Sequence, residues 1–178
     1  LDRDELLSAG TQAARGAAIA TGDATLKAEL LLIGCEAFLS AGDVAAGAPL
    51  VDELEHVVGE SLAPWAICYR CQFIAYTDPS RLPEADERLQ GAIDEFSQRE
   101  DTAGLAKAHR VRASARGRLG RIGDSEIDLF EALIAEGDEK ATALRRTVEE
   151  LENEILAGGR LRARAVYRFF RAASQGDA

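Results

Sequence analysis

Apolar positions along this chain fall in short stripes separated by polar punctuation, and one stripe recurs. A small residue is followed four positions on by Leu or Phe and, three further, by another small residue. The copies are Ala85, Leu89, Ala92; Ser125, Leu129, Ala132; and Ala165, Phe169, Ala172, with a partial one at Ala46 and Leu50. Their starts lie 39, 40 and 40 residues apart. A fixed period of this size marks stacked helix pairs, in which each repeat buries its apolar face only against its neighbours. The small positions let two helices approach closely, and the larger side chain fills the space between them.

Gly-Asp steps at Gly22-Asp23, Gly42-Asp43 and Gly123-Asp124 divide the stripes. Gly accepts the left-handed backbone that ends a helix, and Asp caps the free N–H groups of the next. The pattern predicts helices near 2–21, 24–41, 43–59, 63–77, 82–98, 102–120, 124–136, 139–157 and 160–173. Stripes at helical spacing, Ala85, Leu89, Ala92, Ile93 and Phe96, then Ala141, Leu144, Val148, Leu151 and Ile155, support the later ones. Leu89, Phe96, Leu129 and Leu144 are therefore expected in the core. Pro49 predicts a late start or a kink in the third helix, and Pro79 and Pro83 bracket a short connection before the fifth. No long linker interrupts the pattern. The chain reads as one all-α domain, with repeat units near 24–59, 63–98, 102–136 and 139–173.

Composition narrows the class. The 178 residues suffice for one sizeable core, and 47% are apolar. A net charge of −10 argues against general affinity for nucleic acid or anionic membrane. No apolar run approaches the ~20 residues that span a bilayer, and the front does not resemble a signal peptide. Three cysteines fit a reducing cytoplasm better than a disulfide framework. Leu at position 1 and the absence of Met point to a piece of a longer protein.

The stretch from Leu105 to Asp124, LAKAHRVRASARGRLGRIGD, followed by SEIDLFEAL, resembles tetratricopeptide-type repeats of large actinobacterial signalling proteins. The likeness covers residues 24–136, with its specific part in 105–133, and each unit here is about six residues longer than the standard 34. In that family such repeats follow an ATPase module and accompany a nucleotide cyclase or a DNA-binding domain, whose catalytic motifs lie elsewhere. The resemblance implies antiparallel helix pairs stacked as a right-handed solenoid, with the first helix of each pair lining the concave face. Those are the helices near 24–41, 63–77, 102–120 and 139–157, and they offer Tyr69, Arg70, Arg112, Arg116 and Arg145 as groove candidates. Trp65 reads as core or groove, with core the preferred assignment. A shorter segment, RARAVYRFFRAASQGD at 162–177, resembles the start of the activation module of cobalamin-dependent methionine synthases, where it is a strand. That likeness predicts extended backbone over 163–170.

Other constellations fall short of chemistry. Cys68 and Cys71 form a CxxC, but a structural zinc site needs four ligands and a redox pair wants a βαβ context, so both read as buried apolar side chains. Glu53 and His56 give one Glu-x-x-His, whereas a di-metal bundle needs two. Gly117, Gly120 and Gly123 match neither phosphate-binding fingerprint and read as a helix end and turn. With two histidines and no nucleophile in an elbow, no triad can be drawn. No enzyme, cofactor or metal is expected.

Two basic clusters stand out in this acidic chain: Lys107, Arg110, Arg112, Arg116, Arg118 and Arg121, and Arg160, Arg162, Arg164, Arg168 and Arg171. They either pair with acids such as Glu84, Glu87, Asp94, Asp128 and Glu131, or form a site for an acidic peptide or phosphate-bearing ligand. Arg118 and Arg121 fit the first description, Arg112 and Arg116 the second. The expected function is a protein-interaction or regulatory repeat within a cytoplasmic signalling protein, with a protein or acidic peptide as partner. The alternatives are an effector sensor holding a small anion in its groove, and a helical accessory of a cobalamin enzyme.

Overall fold

A computed structural model describes residues 1–158, with side chains as far as residue 149. The helix expected at 160–173, the strand at 163–170, the stripe copy from Ala165 to Ala172 and the second basic cluster lie outside the described residues. What is described is helical: α1 (Arg3–Ile19), α2 (Ala24–Ser40), α3 (Val44–Val57), α4 (Ala63–Thr77), a 3-10 turn (Pro79–Arg81), α5 (Leu82–Gln98), α6 (Thr102–Arg118), α7 (Ile122–Ala135) and α8 (Glu139–Gly158). No strand occurs among the described residues.

Aspartate sets most of the starts. The carboxylates of Asp2, Asp23, Asp43, Asp101 and Asp138 each accept the main-chain N–H three residues on, at 2.8–3.1 Å, which satisfies a donor the helix cannot. Asp124 does not act this way. α7 starts two residues earlier than expected, and Asp124 sits in its first turn, 2.7 Å from Arg121 Nε. The turn before it belongs to Gly120, at φ +76°. α3 does not start late: it begins at Val44 and continues through Pro49. Pro49 and Ala45 are both exposed, so the carbonyl that Pro49 leaves unpaired faces water.

The chain divides into two compact units, Leu1–Glu136 and Gly137–Ala178. The division falls between the third and fourth repeat units read from the sequence. In the first unit each helix packs on the next, and α4 also touches both α2 and α6. One core cluster joins Leu31, Cys35 and Phe38 of α2 to Val51 and Leu54 of α3 and Tyr69 and Phe73 of α4. A second joins Cys68, Cys71 and Ile74 of α4 to Leu89, Ile93 and Phe96 of α5 and Val111 of α6. Trp65 packs against both, edge-on to Phe96 at 5.4 Å, with its indole N–H donated to Asp101. Leu89 and Phe96 are buried as expected.

Leu129 is not buried: it is 46% exposed, beside the exposed Ile122, Ile127 and Leu133. α5 lies between α4 and α6, whereas α7 packs within its unit chiefly on α6 and turns Asp128 and Ala132 towards it. The position equivalent to Leu89 therefore faces away. In the second unit, α8 is capped by Asp138, and Leu144 is half-buried rather than buried.

Candidate functional site

The basic residues of α6 divide between two sides of the helix. Arg112, His109 and Arg116, spaced for one face, meet Asp128 of α7. Asp128 is fully buried, with Arg112 Nε and Nη2 2.9 and 2.6 Å from its Oδ1, and Arg116 Nη1 3.0 Å from its Oδ2. His109 Nδ1 lies 3.0 Å from Oδ1, so the ring carries its proton there. Arg112 also reaches Gln90, while Arg116 and Arg121 pair with Asp86 of α5. Burial alone would raise the Asp128 carboxyl. The hydrogen bonds from His109 and Arg112 and the charges of Arg112 and Arg116 outweigh it and hold the group below its ordinary range.

This arrangement corrects the groove assignment of Arg112, which is 7% exposed, and gives Arg116 the same internal task. Both arginines fasten α6 to α5 and α7. Arg121 pairs with Asp124 and Asp86, as an arginine near the acidic start of α7 should.

The other groove candidates are also engaged. Tyr69 is buried and its hydroxyl donates to Glu36 of α2 at 2.8 Å. Burial first, and then the neighbouring Glu36 charge, push this phenol well above its usual range. Lys107 of α6 lies 4.5 Å above the Tyr69 ring and 2.7 Å from Glu36, so one small cluster joins α2, α4 and α6. Arg70 of α4 pairs with Asp52 and Glu55 of α3, and Arg88 of α5 shares Glu55. Arg145 lies 3.2 Å from Glu149 on α8, in the second unit.

The opposite side of α6 presents the rest of the basic run, which sequence reasoning did not set apart from Arg112 and Arg116. Lys107, Arg110, Ser114 and Arg118 lie three or four residues apart and so share a face. Across from them on α4 stand Gln72, Ala75 and Tyr76. Gln72, Ala75, Tyr76, Lys107, Arg110, Val111 and Ser114 line a cleft of about 220 Å³. Arg110 is exposed and held by Glu136, itself 42% exposed. Tyr76 is 51% exposed, with the Arg118 guanidinium 5.2 Å from its ring centre. Such a surface gathers cations, hydroxyls and one ring face, and can hold an anionic partner by charge and stacking.

The cysteines are inert by placement. Cys35, Cys68 and Cys71 are fully buried, and burial pushes their thiols up to about 12, about 12 and about 11. Glu53 pairs with Lys27 at 2.6 Å, and His56 bonds the Asp52 carbonyl. Among the described residues no three His, Cys, Asp or Glu side chains come together as metal ligands, and no helix is long and apolar enough to cross a membrane. Comparison with protein-family models, curated proteins and solved structures finds no match for this chain.

Proposed function

We propose that this chain is a non-catalytic helical-repeat scaffold, built of antiparallel helix pairs stacked as a right-handed, tetratricopeptide-like solenoid. Its role is protein interaction or regulation within a cytoplasmic signalling protein, and its partner is an acidic peptide or protein segment. The observation that carries this reading is the shared face of α2, α4 and α6. α4 touches both α2 and α6, and the side on which α4 and α6 meet bears Lys107, Arg110, Arg118 and Tyr76 on an otherwise acidic protein.

The reading of the chain as a sensor for a small anionic effector is less well supported. It needs arginines converging on an enclosed pocket. Arg112 and Arg116 converge instead on Asp128 and Asp86, and the cleft on the other side of α6 is small for a whole effector. Fluorescence anisotropy tests the proposal with a labelled glutamate-rich peptide and its glutamine-substituted counterpart. The acidic peptide should bind saturably and weaken as salt rises, since complementary charge is screened. Equal behaviour of the two peptides would remove the acidic partner.

A further inference from the structure

We infer that α6 carries a site for the phosphate of a phosphoserine or phosphothreonine in the bound segment, seated over the Ser114 hydroxyl between the guanidinium groups of Arg110 and Arg118. This rests on the scaffold reading above and names the chemistry of its partner.

What marks the site is a row of donors that no protein acceptor uses. Lys107, Arg110, Arg112, Arg116 and Arg121 each pair with a carboxylate. Arg118 meets none among the described residues, in a chain with 31 acids. Its guanidinium stands 5.2 Å from the ring centre of Tyr76, a contact that steadies it without using its N–H donors. Arg110 donates to Glu136 through Nε and Nη2, which leaves Nη1 without an acceptor among the described residues. The exposed Ser114 hydroxyl makes no hydrogen bond there either, whereas Thr11, Thr77 and Thr147 each bond the carbonyl four residues back.

Positions 110, 114 and 118 share a face of α6, each one helical turn, about 6 Å, from the next. Both arginines can therefore close on one group above Ser114. A carboxylate occupies a single fork, as Glu136 does on Arg110. A phosphate monoester brings three terminal oxygens and a charge of about −2, which suits two guanidinium groups and a hydroxyl together. The adjoining cleft of about 220 Å³ is below the range of whole small-molecule sites, so the phosphate belongs to a longer chain lying across the surface. The net charge of −10 disfavours a polyanion such as nucleic acid as that chain and leaves a phosphorylated protein segment.

The test titrates the full chain, by fluorescence anisotropy, with a labelled neutral peptide carrying one central phosphoserine. Companion peptides place serine or glutamate there. The phosphopeptide should bind at least about tenfold more tightly than either. Arg110→Gln and Arg118→Gln should each weaken it about tenfold and Ser114→Ala about threefold, with melting temperatures unchanged because all three side chains are exposed. Arg118→Lys keeps the charge without the fork and should restore only part of the loss. If the glutamate or serine peptide binds as tightly as the phosphopeptide, or the three variants leave the phosphopeptide unaffected, the phosphate site falls and the scaffold reading stands. Competition by inorganic phosphate at the phosphopeptide's own concentration would likewise overturn the site as a docking point for a chain. If neither these peptides nor the glutamate-rich one binds, both readings fall.

Discussion

Arg112 illustrates how much a single contact changes the meaning of a residue. As a letter in a basic run it is a ligand-binding candidate; in the fold it is buried against Asp128. Removing it leaves a buried carboxylate with only Arg116 and His109 for company, and breaking a buried pair costs about 3–5 kcal/mol. Arg112→Gln should therefore lose roughly 3 kcal/mol in chemical denaturation, the lower end because two partners remain. Asp128 also gives stability a pH dependence of known sign. Its carboxyl is depressed in the folded state, so its contribution is complete above the ordinary Asp pKa of about 3.9 and is lost as pH falls through the lower folded value. Asp128→Asn should flatten the acid limb of the stability–pH curve. An unchanged limb would show that other carboxylates dominate it. The sequence reading named Asp128 among the acids for this run but not Glu36, Asp86 or Glu136, because which cation meets which acid depends on the rotation of α6, and its hydropathy does not set that rotation.

Element boundaries follow more directly from the chain. Pro64 and Pro83 in the first turns of α4 and α5 are local chemistry, so both helices begin where the residues say although neither start carries a side-chain cap. Gly123-Asp124 misleads because Arg121 draws Asp124 into a side-chain pair instead of a cap. The small–large–small stripe is a reliable core signal only where a helix has neighbours on both sides. In α5 it does, and Leu89→Ala should cost about 2–5 kcal/mol. In α7, which within its own unit packs chiefly on α6, Leu129 is exposed, and Leu129→Ala should stay within about 0.5 kcal/mol of the parent. Similar losses for the two would overturn the packing of α7 described here. Where α6 enters beneath α5, Gly104 is required by space: a Cβ there would stand 2.2 Å from Phe96 Cδ1. Phe96 is held against Trp65 and cannot yield cheaply. Gly104→Ala should thus lower stability by about 1–2 kcal/mol despite the better helix propensity of Ala, a loss readable from the denaturation midpoint.

At the scale of the whole molecule, the first unit uses its charges in two ways. Arg70, Lys107, Arg112 and Arg116 tie neighbouring helices together, while Arg110 and Arg118 stand exposed along the cleft side of α6. The repeat period anticipates the helix pairs, but not this division, because α6 carries basic residues around its whole circumference. The binding face becomes visible only once α4 lies against α6 and one side of the helix is spent on Asp128. The most direct check compares two double variants, Arg110→Gln with Arg118→Gln and Arg112→Gln with Arg116→Gln, by thermal melting at low and high salt and by titration with the glutamate-rich peptide. The account predicts that the first pair keeps its melting temperature and loses peptide binding, while the second melts lower at both salt concentrations, because a buried pair is poorly screened. The reverse pattern, a stable second pair that no longer binds and a destabilised first pair, would contradict it.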